Sequence, residues 1–394
     1  MSQSAVIQAI ANFGPISRAS VAKITGLSKQ TVSEIVMNLE GDGWVRTVGH
    51  TEGHIGRRAV VYEISPSAAT IASVDLGGTK VRVALCDLTG VVLAEQVEPT
   101  AKAGGSVVVD QIATMIKAAA LKAGIPLKDL HIAVIGVPGV PDQKTGAVMM
   151  APNIAGIDQV DIPSQLKELL GIEVFVENDV SLAALGEHWL GKHGESDSLV
   201  YLSIGTGIGS GIVIGGNLLR GNVGAAGEVG FLPFGADPFD PESRRVGALE
   251  RVTATNAIIE QYEKLTGRQL SVPDVFEAAN RGDEAAAETL NLTAREIARA
   301  VAAIAAIIDP SAVIMGGSIG TRPELLERVA AQLELCFPRP VVIQKSELGN
   351  YAALAGGASI ALAHLHVSLF AEGQKGAEIT VPAPALESFK AGRL

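Results

Sequence analysis

The stretch IASVDLGGTKVRVALC, residues 71–86, sets an apolar strand against a glycine turn and then resumes as a second strand. Ile71 to Val74 and Val81 to Cys86 are the strands, and Asp75 to Lys80 is the turn between them. A turn of this kind lets backbone N–H groups approach phosphate oxygens. Thr79 adds a hydroxyl, and Asp75 can hold Mg²⁺ through water. Asp75, Gly77, Gly78, Thr79 and Lys80 are therefore phosphate-site candidates. No GxxxxGK[ST] pattern is present and no helix follows directly, so this is not a Walker loop. A single copy would be equally well explained as a plain hairpin turn.

A second copy exists. Leu199 to Ile204 reads as a strand, Gly205-Thr206-Gly207-Ile208-Gly209-Ser210-Gly211 as the turn, and Ile212 to Ile214 as the returning strand. Two such units suggest two related lobes, each presenting a hairpin to one nucleotide in the cleft between them. Gly205, Thr206 and Gly207 join the phosphate candidates. Gly316 and Gly317, after the strand Ala312 to Met315 and a long helix ending near Ile308, offer a place for an adenosine. The architecture resembles the actin and hexokinase type of ATPase, a ribonuclease H-like α/β fold in two lobes.

Upstream, the pattern changes. Ser4 opens an apolar series (Val6, Ile7, Ile10, Phe13) at helical spacing that Gly14-Pro15 ends. Ser17 caps a second helix with Val21 and Ile24, and Gly26 turns the chain. Ser28 caps a third helix with Val32, Ile35, Val36 and Leu39 inward. Ser28, Lys29, Gln30, Thr31 and Ser33 lie at the start of that helix, where a recognition helix meets base edges and phosphates. Trp44 to Val48 and Ala59 to Ile64 alternate as a hairpin whose loop carries His50, His54, Arg57 and Arg58, a wing suited to the DNA backbone or minor groove. A polar surface helix on a small adaptor would account for the helices alone; the wing with paired arginines favours a winged helix-turn-helix that binds double-stranded DNA. Phe13 and Trp44 are expected in its core. Ser65-Pro66-Ser67 breaks the pattern and marks a linker.

The bulk composition agrees with this division. At 394 residues, two or three domains are expected, and 47% hydrophobic residues with 44 glycines suit an α/β chain with many tight turns. Cys86 and Cys336 can build neither a disulfide framework nor a four-cysteine zinc site, which fits a reducing compartment. No charged segment followed by an apolar one opens the chain, and no apolar run reaches membrane-spanning length. A soluble cytoplasmic protein without membrane partners is the expectation. The net charge is −11, but residues 1–64 carry six cations against five acids, so an acidic body bears a locally basic head.

The motifs Asp75 to Lys80, Glu177-Asn178-Asp179, Gly205 to Gly211, Gly224-Ala-Ala-Gly-Glu-Val-Gly230 and Leu249-Glu250 fall in the order and spacing of the ROK family of repressors, open reading frames and sugar kinases. The resemblance covers residues 1 to 365 when the head is included. Among such proteins it is similar to xylose- and N-acetylglucosamine-type repressors, because regulators carry the N-terminal reader that kinases usually lack. It implies that Asp179 is the base that takes the proton of a sugar hydroxyl, and that Asn153, Asn178, Asp179 and Glu250 bind sugar. It also implies a homodimer or higher oligomer on operator DNA. The usual histidine and zinc cysteines are replaced here by Phe231, Pro241, Ser243 and Ala248, so no zinc can bind in that pattern. Phe234 to Arg245 reads as a replacement loop held without metal.

The expected domains are a winged helix-turn-helix over 1–65, a first lobe over 71–180 completed by a helix near 352–366, a second lobe over 181–350 and a loose tail over 371–394. The expected function is a sugar-responsive transcriptional regulator of carbohydrate metabolism, in the sense of a repressor. It would bind a monosaccharide or sugar-derivative effector in a kinase-like cleft and need no cofactor. The alternative is a sugar kinase using Mg-ATP on a hexose or N-acetylhexosamine, with or without a regulatory role. A body that docks another protein is the third reading.

Overall fold

A computed structural model describes residues 2–50, 59–142, 147–149, 154–193, 197–370 and 382–390. The chain divides into two compact units, one of residues 1–177 with 357–394 and the other of residues 178–356.

The first unit begins with the head. Helix α1 (Ser2–Phe13), strand β1 (Ile16–Ser17), helices α2 (Arg18–Thr25) and α3 (Lys29–Gly41), and strands β2 (Val45–His50) and β3 (Val60–Ile64) form three helices and a small sheet in the order β1-β3-β2. Two serines start its second and third helices. Ser17 Oγ accepts the Ser20 N–H at 3.2 Å and Ser28 Oγ accepts the Thr31 N–H at 3.1 Å, satisfying donors that a helix start leaves orphaned. Gly26, at φ 71°, ends α2 in the left-handed conformation that a side chain would resist. Val6, Ile7, Ile10, Val21, Val32, Val36, Leu39, Val45, Tyr62 and Ile64 are buried. Phe13 and Ile24 are not: both are more than half exposed, so the apolar spacing of α1 and α2 overstates the inward face by one residue at each end.

The body of this unit is a five-stranded sheet, in the order β10-β7-β4-β5-β6, made by β4 (Thr70–Leu76), β5 (Lys80–Asp87), β6 (Val92–Pro99), β7 (Leu130–Val137) and β10 (Glu173–Asn178). Strands β4, β5 and β6 are consecutive and antiparallel, and β7 runs parallel to β4 with Val74 opposite Ile135. Helix α4 (Gly105–Lys122) covers one face, laying Val108, Val109, Ile112, Met115 and Ile116 on Ala72, Val74, Val83 and Leu85. The short pair β8 (Val140–Pro141) and β9 (Val148–Met149) and helix α5 (Ile162–Leu170) lie between β7 and β10 in sequence.

The second unit repeats this plan. Helix α6 (Asp179–Leu190) precedes β11 (Leu199–Ile204), β12 (Ile208–Ile214) and the short β13 (Asn217–Leu218). Helices α7 (Pro241–Val246), α8 (Glu250–Thr253), α9 (Thr255–Thr266), α10 (Val272–Asn280) and α11 (Glu284–Ile308) lead to β14 (Ala312–Gly316). Helices α12 (Gly317–Gly320) and α13 (Pro323–Cys336) and strand β15 (Ile343–Lys345) follow. The sheet order is β13-β12-β11-β14-β15. As in the first unit, an antiparallel hairpin is joined along its first strand by a parallel strand arriving after a helix. Helix α14 (Ala352–Phe370) starts in the second unit and ends in the first, and α15 (Leu386–Lys390) lies against β6. The loose tail expected from the fading apolar pattern holds an anchor here, because Phe389 is buried.

One glycine-rich stretch divides differently from its sequence reading. The returning strand starts at Ile208, not Ile212, so the turn is Gly205–Gly207 alone. Gly209 and Gly211 sit within β12 because α6 lies directly on them. A Cβ on Gly209 would meet Val180 Cγ2 at 3.3 Å, and one on Gly211 would meet the Val180 carbonyl oxygen at 2.5 Å and Ala184 Cβ at 2.6 Å. The other side of α6 is as close to α14: a Cβ on Gly186 would run into the Ala352 carbonyl, and one on Gly356 into the Leu182 carbonyl.

Because those obstacles are backbone atoms, Gly186→Ala and Gly356→Ala should each destabilise the protein by about 3 kcal/mol or more. Gly41→Ala, at a helical position with open space around it, should be neutral or stabilising by up to about 1 kcal/mol. Chemical denaturation of the three variants checks this ordering.

Candidate functional site

Three of the residues singled out by sequence, Asn178, Asp179 and Glu250, lie near the start of β12. Asn178 is the N-cap of α6, its Oδ1 accepting the Ser181 N–H at 2.9 Å, and Asp179 opens the helix with Oδ1 on the Val180 N–H at 2.9 Å. Both are half-buried, at the helix end where the aligned peptide dipoles favour an anion. Glu250, at the start of α8, turns its carboxylate onto the same strand. Its Oε2 accepts the Ile208 N–H at 3.0 Å and lies 2.5 Å from where a Gly207 Cβ would be. Gly207, the last residue of the turn, meets Glu250, and Gly209, the second residue of β12, meets Val180, so both Glu250 and α6 pack near the start of β12.

A third carboxylate, absent from the sequence candidates, completes the group. Gly227 presses on Ser210, whose N–H and hydroxyl both bond to the Gly227 carbonyl, at 3.1 and 2.9 Å. That contact seats Glu228 beside Glu250. Burial raises the Glu228 pKa above the usual carboxylate range, and the charge on Glu250 raises it further. Burial also raises Glu250, against the pull of the Ile208 N–H and the Arg245 guanidinium. The available signal for Glu228 was its place between Gly227 and Gly230, a carboxylate in a segment whose glycines permit close backbone approach.

The second glycine turn is held by its surroundings. Gly205 N–H bonds to the Gly207 carbonyl at 2.9 Å, and the Gly205 carbonyl accepts both the backbone N–H and the hydroxyl of Thr255, at 3.0 and 2.9 Å. Ser318 Oγ stands 3.3 Å from a Gly205 Cβ position, so the turn abuts α12, and Gly316 and Gly317 lie beside it. Beneath Gly316 is the hydroxyl of Tyr201, which takes the space of a side chain there, also bonds Gly317 and Ser346, and is raised in pKa chiefly by burial.

Behind Tyr201 lies a buried polar set. Glu187, fully buried, accepts from the Ser346 hydroxyl, from Leu348 N–H at 3.1 Å and from His193 Nε2 at 2.6 Å. His193 Nδ1 meets Gln344 Oε1 at 2.7 Å. Both ring nitrogens lie within hydrogen-bond distance of an oxygen. Burial works to lower its pKa, but the hydrogen bonds to Glu187 and Gln344 outweigh it and the net shift is upward.

The first turn belongs to the other unit. Gly77 N–H bonds to the Lys80 carbonyl at 2.9 Å, and Thr100 Oγ1 donates to the Gly77 carbonyl at 2.7 Å, leaving Gly78, Thr79 and Lys80 exposed at the tip. Burial raises the Asp75 pKa to about 6, with Arg82 opposing. In the head, Lys29 and Gln30 are exposed on the first turn of α3, with Thr31 and Ser33 half-exposed next to them. Arg18 bonds the Tyr62 hydroxyl and lies 4.9 Å over its ring, tying α2 to β3. Arg57, Arg58, His54 and Asn153 lie outside the described residues.

Comparison with known proteins reads the same two parts. Residues 71–364 match the ROK family, and residues 1–54 match the MarR family. The chain belongs to the ROK family. It is 27% identical to the xylose repressor of Caldicellulosiruptor bescii over 362 residues, covering 88% of each chain. The ROK hexokinase of Thermus thermophilus superposes with a TM-score of 0.64 at 30% identity, over 76% of this chain and 99% of the other. A ROK family transcriptional regulator homologous to the Escherichia coli MLC protein has the same fold over 94% of this chain and 97% of its own, with a TM-score of 0.76 at 23% identity.

Within the ROK body, Phe231 is one-third exposed at the end of the turn that bears Glu228. The chain leaves there, forms α7 and returns at Gly247, where a Cβ would run into the Gly230 carbonyl, and Leu249 N–H closes onto that same carbonyl at 3.0 Å. Among the described residues, no cluster of three or more His, Cys, Asp or Glu side chains could hold a metal. No described helix is long and apolar enough to cross a membrane.

The raised Asp75 pKa fixes a pH dependence. The folded state holds this proton up to about pH 6, above the ordinary 3.8, so the associated stability is present below 3.8 and lost as pH rises through 6. Asp75→Asn should therefore gain stability relative to wild type as pH goes from 4 to 7, with the difference level above that. Thermal denaturation across this range checks it.

Proposed function

We propose that the protein is a sugar-responsive DNA-binding transcriptional regulator, a repressor of carbohydrate-metabolism genes, whose effector is bound by Asn178, Asp179, Glu228 and Glu250. The observation that carries this reading is one chain joining a ROK body to a winged helix whose third helix is capped by Ser28 and shows Lys29 and Gln30 to solvent. The named function of the xylose repressor, similar over both parts, supports it. Amide and carboxylate side chains supply the acceptors and donors that vicinal hydroxyls require. Asn153 is proposed as a further sugar ligand, and Arg57 and Arg58 as phosphate contacts of the wing. A homodimer fits the two-fold symmetry of most helix-turn-helix sites.

A second reading, a sugar kinase using Mg-ATP, is favoured by one observation: Asp179 opens α6 on the same strand that begins at the Gly205–Gly207 turn. In that reading Asp179 takes the hydroxyl proton and the Gly205–Gly207 turn is a phosphate contact, with Asp75, Gly77, Gly78, Thr79 and Lys80 kept as separate phosphate candidates.

Binding of the full-length protein to its own promoter DNA, with and without D-xylose, D-glucose and N-acetyl-D-glucosamine, tests the first reading. At least one sugar should shift the affinity, and indifference to all three would sink it. Lys29→Ala should weaken binding across DNA sequences and reduce the salt slope by about 1, while Gln30→Ala should cost about 1–3 kcal/mol at the operator alone. Release of ADP on adding a sugar with Mg-ATP, lost in Asp179→Asn, would instead establish the kinase.

A further inference from the structure

Glu250 begins a helix of four residues, α8, and one turn of helix does not hold itself in water. Its place is set from outside. Leu249 N–H ties the entry to Gly230, the Glu250 carboxylate reaches Ile208, and Thr255 ties the exit to Gly205. The remaining side faces α7, the six-residue helix inside the excursion between Phe231 and Leu249.

Arg251 spans that gap. Its Nη1 lies 3.0 Å from Asp240 Oδ2 and donates to the Ser243 hydroxyl at 2.7 Å. Each partner is itself fixed within α7. The other oxygen of Asp240 caps the helix by accepting the Glu242 N–H at 2.8 Å, and Ser243 is buried, with its carbonyl taking Gly247 N–H at 2.9 Å. The Arg251 backbone N–H closes the ring on the Gly247 carbonyl at 3.2 Å. One guanidinium thus joins the start of α7, its middle and the residue after Glu250.

We propose that Arg251 is a positioning residue for effector binding: its clasp on Asp240 and Ser243 holds α7 against α8 and so fixes the Glu250 carboxylate on the Ile208 N–H, ready to accept a sugar hydroxyl. The proposal rests on the sugar-site reading of Glu250. It also concerns the shape of the site, because α7 and α8 wall a cavity of about 260 Å³ lined by Thr206, Arg245, Glu250, Arg251, Asn256 and Glu260. The side chains of Arg251 and Asp240 are 29% and 40% exposed, and ion pairs this open contribute little to global stability. Removing the clasp therefore changes the local geometry of Glu250 more than the folding of the chain.

Calorimetric titration of the full-length protein with D-xylose, D-glucose and N-acetyl-D-glucosamine, alongside Arg251→Met, Arg251→Lys and Asp240→Asn, tests this. A sugar bound by wild type should bind Arg251→Met roughly tenfold more weakly, the scale of a hydrogen bond to a charged group. Arg251→Lys, which keeps the charge, should recover part of the loss, and Asp240→Asn should lose affinity while keeping its cap. Raising the salt should weaken sugar binding by wild type and leave Arg251→Met unaffected, since the screened pair is already gone. Amide exchange at Gly247, Leu249 and Arg251 should quicken in Arg251→Met with the melting temperature nearly unchanged. An Arg251→Met protein with wild-type sugar affinity overturns the clasp alone. So does one whose affinity and melting temperature fall together without recovery by lysine. If wild type binds none of the three sugars, the sugar reading of Glu250 fails and takes this proposal with it.

Discussion

The contact on which the site depends is made chiefly of main-chain atoms and small side chains. Helix α6 lies between β12 and α14, and on both sides glycine brings backbone against backbone: Gly211 under Val180, Gly186 on Ala352, Gly356 on Leu182. Packing of this kind leaves no rotamers to adjust, so the direction of α6, and with it the position of Asn178 and Asp179 at its start, is fixed by main-chain geometry. The seat of α14 is fixed by the same contact. Further along, Ala358, Ala361, Leu362 and Leu365 are buried, and His366 reaches a cavity of about 290 Å³ beneath the head, lined by Ile10, Gly14, Glu63, Pro66 and Leu88 among others. Burial pushes His366 down to about 4, so at neutral pH this junction carries no charge from the ring.

Around that contact the protein buries polar groups. A buried hydrogen-bonded pair such as Glu187 with His193 gains little over hydrophobic neighbours, yet breaking it is costly because the survivor is left buried and unpaired. Its partners explain where it sits. Ser346, Leu348, Gln344 and, through Ser346, Tyr201 converge on it, and Tyr201 fills the space under Gly316. The set joins α6 to the segment after β15 and supports the glycine turn at the end of β14 from below. Geometry of the turn, more than stability of the chain, is what this arrangement supplies.

Much of this was legible in the sequence wherever a residue type had a single local explanation. Ser17, Gly26 and Ser28 mark the helices of the head because a cap or a left-handed turn leaves few alternatives. The strand at 199–204 and both hairpins followed from apolar runs broken by glycine. Glycine also misled, in Gly209 and Gly211, because the same residue serves a turn and a close helix crossing, and only the tertiary neighbour tells which. Strand β6 went unassigned although Asp87-Leu88-Thr89-Gly90 is a strong turn signal. Asp87 Oδ1 accepts from Thr89 N–H, Thr89 Oγ1 and Val91 N–H, and Gly90 has φ 83°. Glu228, His193 and Arg251 could not be read from spacing. Their side-chain partners lie between 6 and 151 residues away or within a loop without periodicity, and their roles come from what they touch.

The chemistry of the grouped carboxylates limits what the site can accept. Glu228 and Glu250 lie close enough for their charges to interact, and two guanidiniums of the same wall are already engaged, Arg245 with both oxygens of Glu242 and Arg251 with Asp240. A phosphate or carboxylate group entering beside Glu250 would meet the repulsion of that carboxylate and of Glu228. A neutral polyol meets no such penalty, since each hydroxyl can donate to one carboxylate and accept from an amide or backbone N–H. Phe231 adds an apolar surface at the end of the Glu228 turn, on which, under the proposed reading, the C–H face of a sugar ring can rest without loss of a hydrogen bond. On the proposed sugar reading, a phenyl ring where the family resemblance implies a histidine exchanges one polar contact for an apolar one, and leaves recognition of the hydroxyls to the acids and amides around it.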